Sequence, residues 1–226
     1  MAHSRERLIA RWGYVGDPRH MLVDELYREL VGYIVTEDPD GSRHPIGTAF
    51  FVKVYLDPAE FPVSSWANYA VTARHVITAH PDIDLFIRFN AKNAAEYRDH
   101  PIRSSDWIID PGTDLAVAAI RLPVRVEALA LNSLATEEYA RAVECGHDVF
   151  MAGLFEPFPG EKRIQPIVRF GKITIPFTQV DLQLDVGSNE VHRVDAHLIE
   201  AGPWGGESGS PVFVCGFRGM PISVPN

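Results

Sequence analysis

The sequence predicts an all-β fold in which two antiparallel barrels pack side by side, preceded by one helix. From residue 31 onward, apolar residues occur in short runs rich in β-branched and aromatic side chains, and Pro, Gly, Asp and Asn separate these runs. The runs form two series, divided by a connector with few strand formers. A chain of 226 residues, 46% of them apolar, can bury a full core.

The N-terminal region, residues 1–30, has the one good helical pattern. We expect it to form a helical extension that packs against the outside of a barrel. Its apolar residues recur with the spacing of one helix face, at Met21, Leu22, Leu26, Leu30 and Val31.

The first series of runs predicts a first barrel over residues 31–122. The motif Asp38-Pro39-Asp40-Gly41 is the clearest turn in it, because Pro, Asp and Gly each favour turn conformations. The predicted strands are 32–36, 47–55, 68–72, 85–90, 107–110 and 115–122.

The connector, residues 123–145, is rich in Ala, Leu and Glu, so we expect a helical turn within it. The second series predicts a second barrel over residues 146–226. Its predicted strands are 148–155, 167–175, 179–186, 191–200 and 211–215.

Charge and composition argue against several classes of protein. A formal net charge of −9 with scattered basic residues disfavours nucleic acid as a partner. No segment approaches the ~20 consecutive apolar residues that cross a bilayer, and the N-terminal stretch lacks the apolar run of a secretory signal. The two cysteines, Cys145 and Cys215, are too few for a disulfide scaffold and lack metal-site spacing. We therefore expect a cytoplasmic protein with no membrane partner.

The motif Gly205-Gly206-Glu207-Ser208-Gly209-Ser210-Pro211 is the strongest indication of chemistry. A serine among glycines can lie where backbone N–H groups point at one spot, as a hydrolase requires beside its nucleophile. Residues 209–226 contain no His, Asp or Glu, so a base and an orienting carboxylate must come from upstream. The order Ser, acid, His of the α/β-hydrolases is thereby excluded.

His75 is the best candidate base among nine histidines, because it follows the apolar run 70–72 and a strand end can project into a cleft. Asp114, in a turn that opens onto another apolar run, is the candidate orienting carboxylate, and Asp110 is the alternative. Each residue also has a purely structural interpretation: a histidine that bonds a nearby carbonyl, and an aspartate that accepts backbone N–H bonds in a turn.

Three motifs in this order, Thr72-Ala73-Arg74-His75-Val76, Asp114-Leu115-Ala116-Val117 and Gly206-Glu207-Ser208-Gly209-Ser210-Pro211, together resemble the trypsin-like (chymotrypsin-fold) serine peptidases. The resemblance is to their bacterial HtrA-type and related cytosolic branches in particular, and it covers about residues 30–215. It implies two six-stranded barrels with the active site in the cleft between them.

The resemblance also implies a mechanism, in which Ser208 attacks a peptide carbonyl, His75 shuttles the proton and Asp114 orients His75. The backbone N–H groups of Gly206 and Ser208 would form the oxyanion hole. The partner would be a peptide or protein substrate, and no metal or organic cofactor is required. The oligomeric state stays open.

The sequence departs from the family beside the serine. Activated secreted trypsins pair an Asp before the serine with a new N-terminus, whereas this chain has Glu207 and no activation-type site, so we expect no zymogen cleavage. Exposure of Glu207 is the favoured interpretation, and pairing with an arginine is the alternative. By the resemblance, Gly202 lies at the base of the specificity pocket and Pro203 and Trp204 line its rim, which predicts a small or apolar residue before the cleaved bond.

We call residues 205–211 the serine loop. The segment that follows this loop leaves two interpretations open. Residues 220–224 form a shortened pocket wall after a turn at 216–219, or the last barrel is incomplete. The three candidate catalytic residues favour an active serine endopeptidase. The short segment after Ser208 favours a catalytically weak or inactive member of the fold that binds peptide or protein. An esterase that uses the same residues is a third hypothesis.

Overall fold

A computed structural model describes residues 23–56, 66–81, 83–92, 94–122, 126–183, 191–202 and 205–215. These residues form two curled antiparallel sheets with few helices, so the predicted all-β fold class is confirmed. The described part of the chain contributes eight strands to the first sheet and four to the second, where the family resemblance implied six in each barrel.

The first sheet has the order β5-β4-β1-β2-β3-β7-β6, and β8 pairs with β2 in parallel. All its other neighbouring strands are antiparallel. Its strands are β1 Val31–Glu37, β2 Arg43–Tyr55, β3 Trp66–Thr72, β4 Leu85–Asn90, β5 Tyr97–Ile102, β6 Trp107–Ile109, β7 Ala116–Ile120 and β8 Leu129–Ala130.

The second sheet has the order β11-β10-β9-β12 and is antiparallel throughout. Its strands are β9 Asp148–Gly153, β10 Ile167–Gln183, β11 Val191–Glu200 and β12 Val212–Val214. The helices are α1 Leu26–Glu29, α2 Arg74–Thr78 and α3 Glu137–Ala142, and short 3₁₀ turns lie at Ser104–Asp106 and Leu131–Ser133.

Strand β1 joins the two barrels because both of its faces are buried. Ile34 packs into the core of the first sheet. Tyr33 and Val35 point the opposite way and pack with Leu154 and Ile164 of the second half. Side chains alternate between the faces of a strand, so six consecutive buried residues in β1 require a core on each side. This shared strand therefore holds the two sheets against each other.

Strand β10 differs from the prediction because it is continuous where two strands, 167–175 and 179–186, were expected. Pro176 lies between those two predicted strands, and proline has no N–H to donate to a neighbouring strand. The structure accommodates Pro176 at a register shift between Ile175 and Thr178, where a bulge relieves the requirement for that bond.

Strand β5 was missing from the prediction because its sequence is polar and contains Pro101. The described residues place it at the end of the first sheet, next to β4 only. An edge strand tolerates charge and proline, because one side of its backbone needs no partner strand.

Within the described residues, the N-terminal helical pattern corresponds to the short helix α1, and Met21 and Leu22 lie outside those residues. Tyr27 packs edge-on against Phe150 and Phe213, with ring centroids 4.9 and 4.7 Å apart, so α1 contacts the second barrel. Val31 begins β1 and does not belong to the helix. No helix among the described residues has the length and apolar character to cross a bilayer.

The connector contributes one strand and one helix. Its residues 129 and 130 form β8 beside Val52 and Lys53 of β2, which the sequence did not predict. Helix α3 begins after Thr136, whose hydroxyl accepts a hydrogen bond from the Tyr139 N–H and so caps the helix.

Candidate active site

The loop that contains Ser208 lies between β11 and β12 of the second sheet. Gly206 and Gly209 have φ angles of 92° and 87°, in the left-handed region that glycine adopts without strain. The Ser210 N–H donates to the Glu207 carbonyl over 2.8 Å, which closes a tight turn around the serine. The glycines of the motif therefore have a conformational role.

His75 lies in the first turn of α2, directly after β3, and not at the strand end itself. Backbone N–H groups in the first turn of a helix have no acceptor within that helix. The His75 N–H donates instead to Asp114 Oδ1, 2.9 Å away. The start of α2 is thus fastened to the loop between β6 and β7.

The same carboxylate also reaches the histidine ring, since Asp114 Oδ2 lies 2.7 Å from His75 Nδ1. One aspartate therefore bonds both the main chain and the side chain of His75. The alternative residue, Asp110, accepts a 2.8 Å hydrogen bond from the Gly112 N–H and shapes the turn that precedes Asp114.

The opposite ring nitrogen faces the serine, with 2.8 Å between His75 Nε2 and Ser208 Oγ. The structure thus brings together the three residues predicted from the motifs. His75 and Asp114 come from the first barrel, and Ser208 comes from the second. A neutral imidazole has one N–H and one acceptor nitrogen. Protonation at Nδ1 lets the ring donate to Asp114 while Nε2 accepts the Ser208 hydroxyl proton.

The electrostatics of the pair favour a charged histidine. The hydrogen bond to Asp114 raises the pKa of His75 above its ordinary value, and burial opposes this only in part. Burial raises the pKa of Asp114, but the hydrogen bonds from the ring and main chain of His75 outweigh it and leave that pKa lowered. The His75 side chain is 40% exposed, so a substrate can reach it.

Thr48, on β2, contacts the serine loop and was not identified as a site residue from the sequence. Its hydroxyl donates to the Gly206 carbonyl over 2.8 Å and accepts a 2.9 Å hydrogen bond from the Leu154 N–H. Its own N–H donates to the Ser208 carbonyl over 2.8 Å. In the sequence Thr48 lies within the predicted strand 47–55, which assigned no role to the threonine.

The loop also requires glycine for steric reasons. A Cβ on Gly209 would overlap the Thr48 carbonyl oxygen and lie 2.5 Å from Thr72 Oγ1. A Cβ on Gly206 would lie 2.6 Å from Leu154 Cγ. The backbone of the serine loop is therefore in direct contact with both halves of the molecule.

The favoured expectation that Glu207 is exposed is wrong. Its carboxylate forms a 2.6 Å ion pair with Arg169 of β10, and the side chains of Arg169 and Glu207 are only 9% and 20% exposed. Arg169 also donates to the Gly202 carbonyl over 3.0 Å. A carboxylate that the turn directs into the protein requires a charged partner there, because an unpaired buried charge is strongly unfavourable.

Burial raises the pKa of the Glu207 carboxyl above its ordinary value, and the guanidinium of Arg169 offsets only part of this. Glu207 consequently takes up a proton more readily than an exposed glutamate does. The Arg169 guanidinium compensates the charge of the ionised Glu207 carboxylate, and the ion pair holds Glu207 in place between Gly206 and Ser208.

Two backbone donors of the loop have no acceptor within the described part of the chain, namely the N–H groups of Gly206 and Ser208. Of the residues predicted for the specificity pocket, Gly202 is held by Arg169. Pro203, Trp204 and the segment 216–226 lie outside the described residues. No cluster of three or more His, Cys, Asp or Glu that could hold a metal ion occurs among the residues described.

Comparison with known proteins identifies the fold but not a family. No protein family model matches the chain, and no curated protein matches its sequence. The structure is similar to the MamO protease domain from Magnetospirillum magneticum in its apo form, with a TM-score of 0.55 and 16% identity over 84% of this chain and 80% of that one.

It is also similar to the active form of the Rv3671c protease from M. tuberculosis, with a TM-score of 0.53 and 19% identity. That match covers 82% of this chain and 65% of the other, so the chain spans just under two thirds of that protease. The protein therefore has the trypsin-like serine protease fold. The contacts among Asp114, His75 and Ser208 lie where its two sheets meet.

Proposed function

We propose that the protein is a serine endopeptidase that hydrolyses peptide bonds through an acyl-enzyme intermediate. The observation that carries this proposal is the continuous contact from Asp114 through His75 to Ser208, with distances of 2.7 and 2.8 Å. A serine hydroxyl is a weak nucleophile on its own, and a hydrogen-bonded imidazole activates it by accepting its proton.

In the first half of the reaction, Ser208 Oγ attacks the carbonyl carbon of the substrate as its proton passes to His75 Nε2. The imidazolium formed is stabilised by the carboxylate of Asp114. His75 then donates this proton to the leaving amine as the C–N bond breaks, which leaves an acyl ester on Ser208. In the second half, His75 takes a proton from water, and the resulting attack on the ester releases the acid and restores Ser208.

The negative charge on the tetrahedral intermediate requires donors that are already in place. The N–H groups of Gly206 and Ser208 fit this role, since no described residue accepts a hydrogen bond from either. Removal of one such donor typically lowers kcat by ~10²–10³. The geometry of this loop therefore supports catalysis as much as the contact of His75 with Ser208.

We infer a peptide or protein substrate, in keeping with the protease domains that share the fold. A small or apolar residue before the cleaved bond is the proposed preference, because Gly202 places no side chain at the base of the pocket. A relation to the bacterial HtrA-type or related cytosolic branch is part of the proposal and is supported by the order and composition of the three motifs.

A serine-directed fluorophosphonate probe tests the proposal. We expect labelling of the wild type and of the control variant Ser42→Ala, which removes a serine in the exposed turn near β1. We expect Ser208→Ala and His75→Ala to lose labelling. Equal labelling of all four proteins would refute the proposed site. A folded wild type that binds peptides without labelling would favour the catalytically weak binding protein, and competition between peptide and ester substrates separates peptidase from esterase.

A further inference from the structure

Thr48 is fully buried, with 0% of its surface exposed, and it belongs to the first sheet. Three of its hydrogen bonds nevertheless cross to the second half of the chain. Its hydroxyl bridges the Leu154 N–H and the Gly206 carbonyl, and its N–H bonds the Ser208 carbonyl. Thr48 thus holds the carbonyl groups of the same two residues whose N–H groups form the proposed oxyanion hole.

The planarity of the peptide group gives these contacts a directional consequence. The Ser208 N–H belongs to the peptide between residues 207 and 208, and the two neighbouring peptides carry the carbonyls of Gly206 and Ser208 that Thr48 holds. A peptide plane between two fixed planes has little freedom to rotate. Gly206, with φ at 92°, would otherwise have more rotational freedom than any other residue type.

Thr48 is also connected to the strand that leads to the base. Its carbonyl accepts a 2.6 Å hydrogen bond from the Thr72 hydroxyl, and Thr72 ends β3 three residues before His75. A chain of hydrogen bonds therefore runs from β3 through Thr48 to the serine loop. This chain is separate from the contact of His75 with Ser208, so it can fix the loop without changing the acidity of the ring.

We propose that Thr48 is a positioning residue for the reaction. It orients the Gly206 and Ser208 N–H groups toward the developing oxyanion by holding the carbonyls of those residues. This inference rests on the proposed serine peptidase function. Thr48 does not touch the reacting atoms, so it acts through the loop.

Thr48→Val tests the proposal, because valine has nearly the shape of threonine but lacks the hydroxyl. We expect kcat on a peptide or ester substrate to fall ~10- to 10²-fold, somewhat less than after loss of a whole oxyanion donor. KM should stay within about twofold, since positioning of the donors affects the transition state more than the ground state. The acid limb of the pH profile should not move, because Asp114 and His75 keep their contacts. Thr48→Ser restores the hydroxyl and should recover most of kcat.

Thr36→Val is the matched control. Thr36 is also buried, lies on β1 and donates to a carbonyl of the same sheet, that of His44, at 3.4 Å. We expect its kcat to equal that of the wild type. If kcat of Thr48→Val, measured per probe-titrated active site, equals that of the wild type, Thr48 has no positioning role. A lower melting temperature with unchanged kcat would lead to the same conclusion.

If Thr48→Val does not fold, Thr72→Val keeps the Thr48 hydroxyl and removes only the 2.6 Å bond to the Thr48 carbonyl. Thr72→Val should also lower kcat, but by less than the fall expected for Thr48→Val. An unchanged kcat would contradict the proposal. A wild type that neither labels nor hydrolyses any substrate refutes the proposed function itself. An active wild type together with an unchanged kcat in Thr48→Val refutes only the role of Thr48.

Discussion

Asp114 controls the orientation, the tautomer and the acidity of His75 through two oxygen atoms. Oδ1 accepts the main-chain N–H at 2.9 Å, and Oδ2 lies 2.7 Å from the ring. A carboxylate fixed by the backbone cannot turn away from the ring without losing its other hydrogen bond. The raised pKa of His75 is the electrostatic consequence, because Asp114 stabilises the protonated ring.

This arrangement predicts the pH dependence of the reaction. Only the neutral ring accepts the Ser208 proton, so the rate of fluorophosphonate labelling should rise with pH through the pKa of His75. Because that pKa is raised, the midpoint should lie above the ordinary histidine value of ~6.5. Asp114→Asn removes the charge that raises the pKa, so the midpoint should move to lower pH, and the maximal rate should fall by ~10⁴.

Asp110→Asn is the matched control for that experiment, since the Asp110 carboxylate lies in the same loop and accepts hydrogen bonds from Gly112 and Thr113 rather than from His75. Its labelling midpoint and rate should stay near those of the wild type. A midpoint that does not move in Asp114→Asn would show that the contact with Asp114 does not set the pKa of His75.

The pair of Arg169 and Glu207 gives a second prediction for single residues. Arg169→Met leaves a largely buried carboxylate without its cation, which typically costs about 3–5 kcal/mol of unfolding free energy. We expect labelling of Ser208 to slow as well, because Glu207 lies between the two proposed donors. The loss of stability should shrink as pH falls, since protonation of Glu207 removes the unpaired charge. Urea unfolding at several pH values measures this.

Arg193→Met provides the comparison, because Arg193 pairs with Asp181 at 3.0 Å with side chains 66% and 57% exposed. Such a surface pair contributes at most about 1 kcal/mol. If Arg169→Met were as mild as Arg193→Met, the buried ion pair would have no special part in holding the loop.

At the scale of elements, α1 is attached to the second barrel by one aromatic cluster. Tyr27 meets Phe150 of β9 and Phe213 of β12, and those two rings stack on each other at 4.8 Å. The Arg28 side chain adds a 2.8 Å hydrogen bond to the Pro166 carbonyl. A helix of four residues has little stability of its own, so these contacts must hold it.

We therefore expect Tyr27→Ala to lower the unfolding free energy by about 1–3 kcal/mol, from lost apolar burial and ring contacts. Labelling of Ser208 per folded molecule should not change, because Tyr27 packs on rings of β9 and β12 and not on His75 or Ser208. Phe158→Ala, at a ring that is 55% exposed, is the control and should have little effect. An equal loss in both variants would contradict the anchoring role of Tyr27.

At the scale of the whole molecule, the two barrels share β1 as a common wall. Ile34 lies in the first core, while Val31, Tyr33 and Val35 lie in the core between the sheets. If either core opens, one face of β1 is exposed to water. The same arrangement places the first barrel's His75 against the second barrel's Ser208.

This shared strand predicts that the barrels unfold together. The slowest-exchanging amides of β2 and of β9 should report the same free energy of opening in native-state hydrogen exchange. Leu154→Ala, which opens a cavity in the core between the sheets, should lower both values equally by about 2–5 kcal/mol. Different opening energies for the two strands would show that the barrels are independent.

The strands and the three motif residues could be predicted because their signals are local. Runs of β-branched residues specify extended structure wherever they lie, and the glycines around Ser208 specify a turn with positive φ angles. Strand β5 was missed because the sheet edge tolerates its charges and Pro101, and the break predicted at Pro176 was absent because a bulge absorbs it.

The sequence alone was sufficient for the all-β class and for the choice of His75, Asp114 and Ser208 as candidates, since each depends on neighbours along the chain. The ion pair of Arg169 with Glu207 and the bonds of Thr48 depended on the tertiary structure. Thr48 and Gly206 are 158 residues apart, and they meet only because the packing of one sheet on the other sets their positions. Local sequence specifies backbone conformation, whereas the partner of a buried polar group is specified by what the fold places beside it.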